Sequence, residues 1–112
     1  MSETTLDSLA EEDTKLVTMA RQAAGRVTQL KGAAVRDTIG RTYASAPVEL
    51  PHLELTALQA AVAQAAAAGA EALEAAAIFN YTDDDPGVRA VQDLAQNAPV
   101  YAVVRKDVTR LV

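Results

Sequence analysis

With 112 residues, half of them apolar, the chain can bury one core, and the lack of cysteine excludes disulfides, thiol nucleophiles and thiolate metal ligands. A net charge of −5 and a pI of about 4.7 argue against an extended nucleic-acid footprint, which needs clustered Lys and Arg to displace phosphate counterions. The first dozen residues are acidic and polar, unlike a secretory leader, and no uninterrupted apolar run approaches the roughly 20 residues of a membrane span. The expectation is one domain, residues 1–112, in the cytoplasm and without a membrane partner. Aromatics are only 4%, and alanine supplies much of the apolar count. Alanine buries little area at about 25 cal/mol per Å², so the core is thin and self-association, as a dimer or tetramer, is expected to add burial.

Taken in order, residues 1–7 are polar and terminal and are expected to fray. Over 9–26 the spacing of Leu9, Leu16, Met19, Ala20, Ala23 and Ala24 predicts a helix. Asp7 or Ser8 is placed to cap its start, and Gly25 to end it in a left-handed conformation. Residues 31–47 read as a β-hairpin: a small-residue strand at 32–35, a turn at 37–40 rich in Asp and Gly, and a return strand at 41–48. Arg21, Arg26, Lys31, Arg36 and Arg41 crowd this half of the chain and are read as solvated charges rather than a binding patch.

The stretch 47–70 organises the rest. Pro47 and Pro51 make an extended link. A helix is expected over 53–68, where Ala, Leu and Gln have high helix propensity, and Gly69 stands where its C-terminal cap belongs. This stretch holds the only histidine, His52, between the carboxylates Glu49 and Glu54. A lone His beside a proline in a loop is ordinarily a surface or capping residue. A buried strand follows at 73–80, then a polar loop at 81–85. Pro86 suits the first turn of a helix through 88–96, with Val88, Val91, Leu94 and Ala95 as its apolar face. The acidic run before Pro86 suits the positive end of the helix dipole. After a turn at 97–99, the continuous apolar run 100–104 reads as a strand covered on both sides. Residues 105–112 are left as a short edge strand or a loose tail. Strands alternating with helices imply a layered α/β sheet whose crossover strands are parallel.

That order and several local words resemble the cytidine deaminase superfamily over about residues 16–104. Lys31-Gly32-Ala33-Ala34 stands where the family has a K-V-G-A-A word, one residue shorter. Val48-Glu49 matches its N-V-E word, the run around Pro86 is similar to the segment before its second metal-binding helix, and Pro99-Val100-Tyr101 to the strand after it. The resemblance implies a three-layer α/β/α fold with a mixed sheet of four to five strands, an N-terminal helix and a hairpin.

The family's chemistry uses zinc-activated water and a proton-shuttling Glu. Its zinc is held by a His or Cys at the start of the central helix and by two Cys in a P-C-x-x-C word. Here two registers are open. In one, Leu55-Thr56 matches the family's L-T word, which puts Leu58 at the ligand position and Ala60 at the shuttle. In the other, His52-Leu53-Glu54 matches H-x-E. In both, Gly87 and Ala90 replace the two cysteines, and one imidazole cannot hold a catalytic zinc that needs three protein ligands. The resemblance thus implies a catalytically inactive member, with no cofactor, serving as a structural or protein-interaction module, and a homo-oligomer. A residual nucleoside- or nucleotide-binding module, with Glu49, His52 and Glu54 as candidate contacts, is the alternative. Glu49 matches a position that holds the ribose hydroxyls in the family, although its companion Asn is Pro47 here. A pyrimidine deaminase with an unusual metal site at His52 ranks last.

Overall fold

The structure, a computed structural model, describes residues 3–5, 9–28, 30–81, 84–95, 97–105 and 107–112. The elements run β1 (Glu3–Thr5), α1 (Glu11–Ala24), β2 (Gly32–Asp37), β3 (Thr42–Ser45), β4 (Val48–Leu50), β5 (Leu53–Leu55), α2 (Ala57–Ala67), β6 (Leu73–Phe79), α3 (Gly87–Leu94), β7 (Val100–Val104) and β8 (Asp107–Arg110). Six strands form one mixed sheet in the order β1-β8-β7-β6-β2-β3, in which β6 and β7 are parallel and the other neighbours antiparallel. Strands β4 and β5 form a separate two-stranded sheet.

The strand periodicity of two divides the core. Ala33, Val35, Ala76, Ile78 and Val100 pack with Leu58, Ala61, Ala65 and Val91 from α2 and α3. Ala34, Ala75, Ala77, Tyr101, Val103 and Val108 pack with Leu16, Val17 and Ala20 from α1. One helix on one face and two on the other give the expected three-layer α/β/α arrangement.

Several local expectations are corrected. The sheet has six strands rather than four to five, because Glu3–Thr5, within the stretch expected to fray, pairs with β8 from the far end of the chain. Within 105–112, Asp107–Arg110 form β8, a strand interior to the sheet rather than an edge strand or a loose tail. The proposed cap at Asp7 or Ser8 lies outside the described residues, and Ala10 is the N-cap, without a side-chain hydrogen bond. Helix α1 ends at Ala24, and Gly25 is right-handed (φ −67°) rather than left-handed. The single return strand over 41–48 is two strands, broken at Ala46 and Pro47.

Helix α1 lies very close on β2. A Cβ added at Gly32 would overlap the carbonyl oxygen of Ala20 and stand 2.6 Å from the amide nitrogen of Ala24. Both obstacles are helix backbone, so only glycine fits. The contact is reinforced at the helix start, where Asp13 accepts from Arg36 Nη2 at 2.9 Å and from Tyr101 Oη at 3.0 Å. Arg36 Nε donates to Glu74 at 2.8 Å. Burial, and after it the bond to Asp13, pushes the Tyr101 hydroxyl above its ordinary pKa. Two of the five early cations are thus in ion pairs, the half-buried Arg36 here and the exposed Arg41 with the buried Asp37.

The β2–β3 turn is built on Asp37, 1% exposed. One carboxylate oxygen accepts the backbone N–H groups of Ile39 and Arg41, and the other accepts Arg41 Nε at 2.7 Å and Tyr43 Oη at 3.0 Å. Burial alone would raise its pKa, but these four donors favour the ionised form and hold it below the ordinary 3.8. The ionised carboxylate therefore stabilises the fold fully above the unfolded-state value, and that contribution is lost as pH falls through the lower folded-state value.

Two outcomes follow. Gly32→Ala should lose about 3 kcal/mol in urea denaturation, because overpacking against backbone has no soft neighbour to yield. Asp37→Asn should flatten the acid limb of stability, so that the variant loses less than the parent between about pH 5 and pH 2, followed by urea midpoints across pH.

Candidate functional site

Proline at position 51 lacks the N–H that a central strand must donate, and here it is spared that duty by sitting with His52 in a turn. On either side run Val48-Glu49-Leu50 and Leu53-Glu54-Leu55, paired in register as Val48 with Leu55, Glu49 with Glu54, and Leu50 with Leu53. Alternation puts the two glutamates on one face of this hairpin. The expected extended link is therefore a hairpin, and the expected helix over 53–68 begins only at Ala57. Residues 53–55 have reasonable helix propensity, but a capping box overrides it. Thr56 Oγ1 accepts the N–H of Gln59 at 3.1 Å, while Gln59 Oε1 accepts the N–H of Thr56 at 2.9 Å. At the other end Gly69 (φ +86°) closes a Schellman turn, with Ala70 N–H donating to Ala65 and Gly69 N–H to Ala66.

The start of α3 is set by Asp85 and Pro86. Asp85 Oδ1 accepts the N–H of Gly87 at 2.8 Å, and it also accepts Thr56 Oγ1 at 2.8 Å. A single carboxylate oxygen so joins the first turns of α2 and α3. Beneath this bridge the Leu58 side chain, fully buried, fills the notch above Gly87. A Cβ at Gly87 would stand 2.6 Å from Leu58 Cβ and 2.8 Å from Leu58 Cγ.

A cleft of about 430 Å³ opens between the hairpin, the start of α2 and the C-terminal end of β6. This is where ligands sit in layered α/β proteins, outside the carboxyl ends of strands. Ile78, Leu55 and Ala57 give it apolar wall; Glu49, Glu54, Thr56, Gln59, Asn80 and Asp85 give it polar groups. Lys31 is also in the wall. Asn80, itself left-handed (φ +59°), donates from Nδ2 to the carbonyl of Leu30 at 2.7 Å and so ties down the residue before that lysine.

Of the three candidates, Glu49 and Glu54 line the cleft side by side. His52 is exposed in the hairpin turn and is not among the lining residues. The residues missed from sequence are Thr56, Gln59 and Asp85. The T-x-x-Q spacing was the available signal for the first two.

The chain matches a family model described as cytidine deaminase-like over residues 9–107. It belongs to that family. No curated protein sequence matches it significantly. The fold is similar to the crystal structure of cytidine deaminase from Burkholderia pseudomallei, with a TM-score of 0.71 at 19% identity, covering 91% of this chain and 93% of that one. It is also similar to cytidine deaminase from Mycobacterium leprae, with a TM-score of 0.63 at 16% identity, covering 91% and 94%.

The contact between Leu58 and Gly87 bears on the two registers. His52 and Glu54, of the second register, stand on the hairpin before the helix begins; Leu58, the ligand position of the first, is in contact with Gly87. At these positions zinc is not accommodated. Leu58, Gly87 and Ala90 carry no donor atom, and the space is filled by an isobutyl group. Among the described residues no group of three or more His, Cys, Asp or Glu side chains could hold a metal ion, and no helix is long and apolar enough to cross a membrane.

Proposed function

We propose that this member of the cytidine deaminase-like family is not a catalyst and serves as a structural or protein-interaction module. The observation that carries the reading is the packing of Leu58 into the notch of Gly87, where the resemblance puts two metal ligands. Ala60 stands at the shuttle position, so the glutamate that the family uses there to move the proton is replaced by a side chain with no titratable group.

The surface supports the interaction half of the proposal. Leu50 and Leu53 face each other across the hairpin and are 55% and 48% exposed. A hairpin of three-residue strands is marginal by itself, and a second subunit or a protein partner covering this pair would bury apolar area. We infer a homo-oligomer on this ground and on the thin alanine core. A second reading, a nucleoside-binding module acting in the cytoplasm, is supported by the cleft and by Glu49 and Glu54 on its wall.

Freshly purified protein should contain well below one zinc per chain by elemental analysis and should release no ammonia from cytidine or deoxycytidine; stoichiometric zinc with turnover would refute the proposal. Light scattering after size exclusion should give a multiple of 11.7 kDa at micromolar concentration, and Leu53→Glu should shift it toward the monomer. Calorimetry with cytidine separates the second reading: saturable heat that Glu54→Ala removes favours it, and no heat counts against it.

A further inference from the structure

We infer that Leu58, Gly87 and the Thr56–Asp85 bridge form a metal-free fastening that holds the N-termini of α2 and α3 together. The inference rests on the reading above that these positions hold no zinc, and it assigns the structural part of an ion's task to four named residues.

Two helix N-termini brought together present unpaired N–H groups and like partial charge. Some negative group must lie between them. In this chain it is internal. Gln59 N–H donates to Thr56 Oγ1, Thr56 Oγ1 donates to Asp85 Oδ1, and Gly87 N–H donates to the same oxygen. The carboxylate thus faces the starts of both helices at once. Charge-assisted hydrogen bonds of this kind are the stronger ones.

Below the bridge the fastening is apolar. Leu58 is 0% exposed, and its Cβ and Cγ occupy the volume that any side chain at 87 would need. Leucine and glycine are therefore complementary: the large residue on α2 requires the absent side chain on α3. Val91, one turn further along α3, belongs to the same buried cluster as Leu58. Thr56 and Asp85 also wall the cleft, so the fastening sets the shape of that wall.

The test is a pair of mutant cycles on the full chain, read by thermal unfolding with EDTA, with added zinc chloride, and with neither. Leu58→Ala should lower Tm by about 10 °C or more. Gly87→Ala should lower Tm in the parent and lower it by clearly less in the Leu58→Ala background, where the contact with Cγ is gone and the shortened residue 58 can yield, although its Cβ and Asp85 Oδ1 still stand near the new methyl group. If Leu58→Ala does not fold, the second cycle, on Thr56 and Asp85, carries the test. Thr56→Val and Asp85→Ala should each lower Tm, and together by clearly less than their sum, since both break one bond. Tm should be the same with EDTA and with zinc.

An equal effect of Gly87→Ala in both backgrounds, or strict additivity of the second cycle, would overturn the fastening while leaving the non-catalytic reading intact. A zinc-dependent rise in Tm would overturn both, and turnover of cytidine in the same sample would identify the zinc as catalytic. Deamination without any zinc effect on Tm, with both cycles coupled, would keep the fastening and end the non-catalytic reading.

Discussion

The close approach of helix to sheet, made possible by small side chains on both, is the constraint on which this structure depends. Ala33 and Ala34 of β2, Ala75, Ala76 and Ala77 of β6, and Ala20, Ala23 and Ala24 of α1 are all essentially buried. Each removes little apolar surface from water, so stabilisation has to come from contact density rather than from large side chains. Gly32 is the limiting case, because there the backbone of α1 stands where a Cβ would be. The larger residues, Leu16, Val17, Leu58 and Val91, then key each helix to its face. A sheet packed this way has little tolerance for added volume, and its rigidity is what gives the loops at its end fixed positions.

Those positions define the cleft. Strands β2 and β6 are neighbours, and their ends place Lys31 and Asn80 on one side. Helix α2 packs on the same two strands and begins at the opposite wall. The β4–β5 hairpin is a further wall from outside the main sheet, and it brings both glutamates. A site of this kind is assembled by backbone that would be in place whatever chemistry the walls carried. That separation explains how the fold persists at 16–19% identity to solved structures.

Much of the fold was legible in the sequence, and the reasons are local. The run Val100–Val104 is continuously apolar and is a strand buried for most of its length. Asp37 and Gly40 bracket a turn, and Gly69 ends a helix, because each supplies something the neighbouring backbone needs. The failures were also physical. Pro47 and Pro51 read as breaks, yet Val-Glu-Leu and Leu-Glu-Leu mirror each other about Pro51-His52, and that period of two was the stronger signal. Thr56 with Gln59 marked the helix start more sharply than the propensities of residues 53–55 blurred it. Strand β1 was illegible for a different reason: it pairs with Asp107–Arg110, and nothing near residues 3–5 encodes a partner a hundred residues away. The site was half legible. Of the candidate residues, Glu49 and Glu54 line the cleft and His52 does not, and the cleft itself is formed by elements too far apart in sequence to be read locally.

Two helix starts that meet leave N–H groups to be paired and space to be filled. Either left undone is costly, in unpaired N–H groups or in lost packing. This chain meets the two costs separately. Leucine opposite glycine fills the volume, and a threonine–carboxylate bridge answers the electrostatics. Neither alone would do, since an apolar side chain cannot satisfy an N–H and a hydrogen bond cannot fill a cavity. That both contacts meet at Gly87, which gives its N–H to one and its missing side chain to the other, makes this residue the one on which the joining of the two helix starts depends.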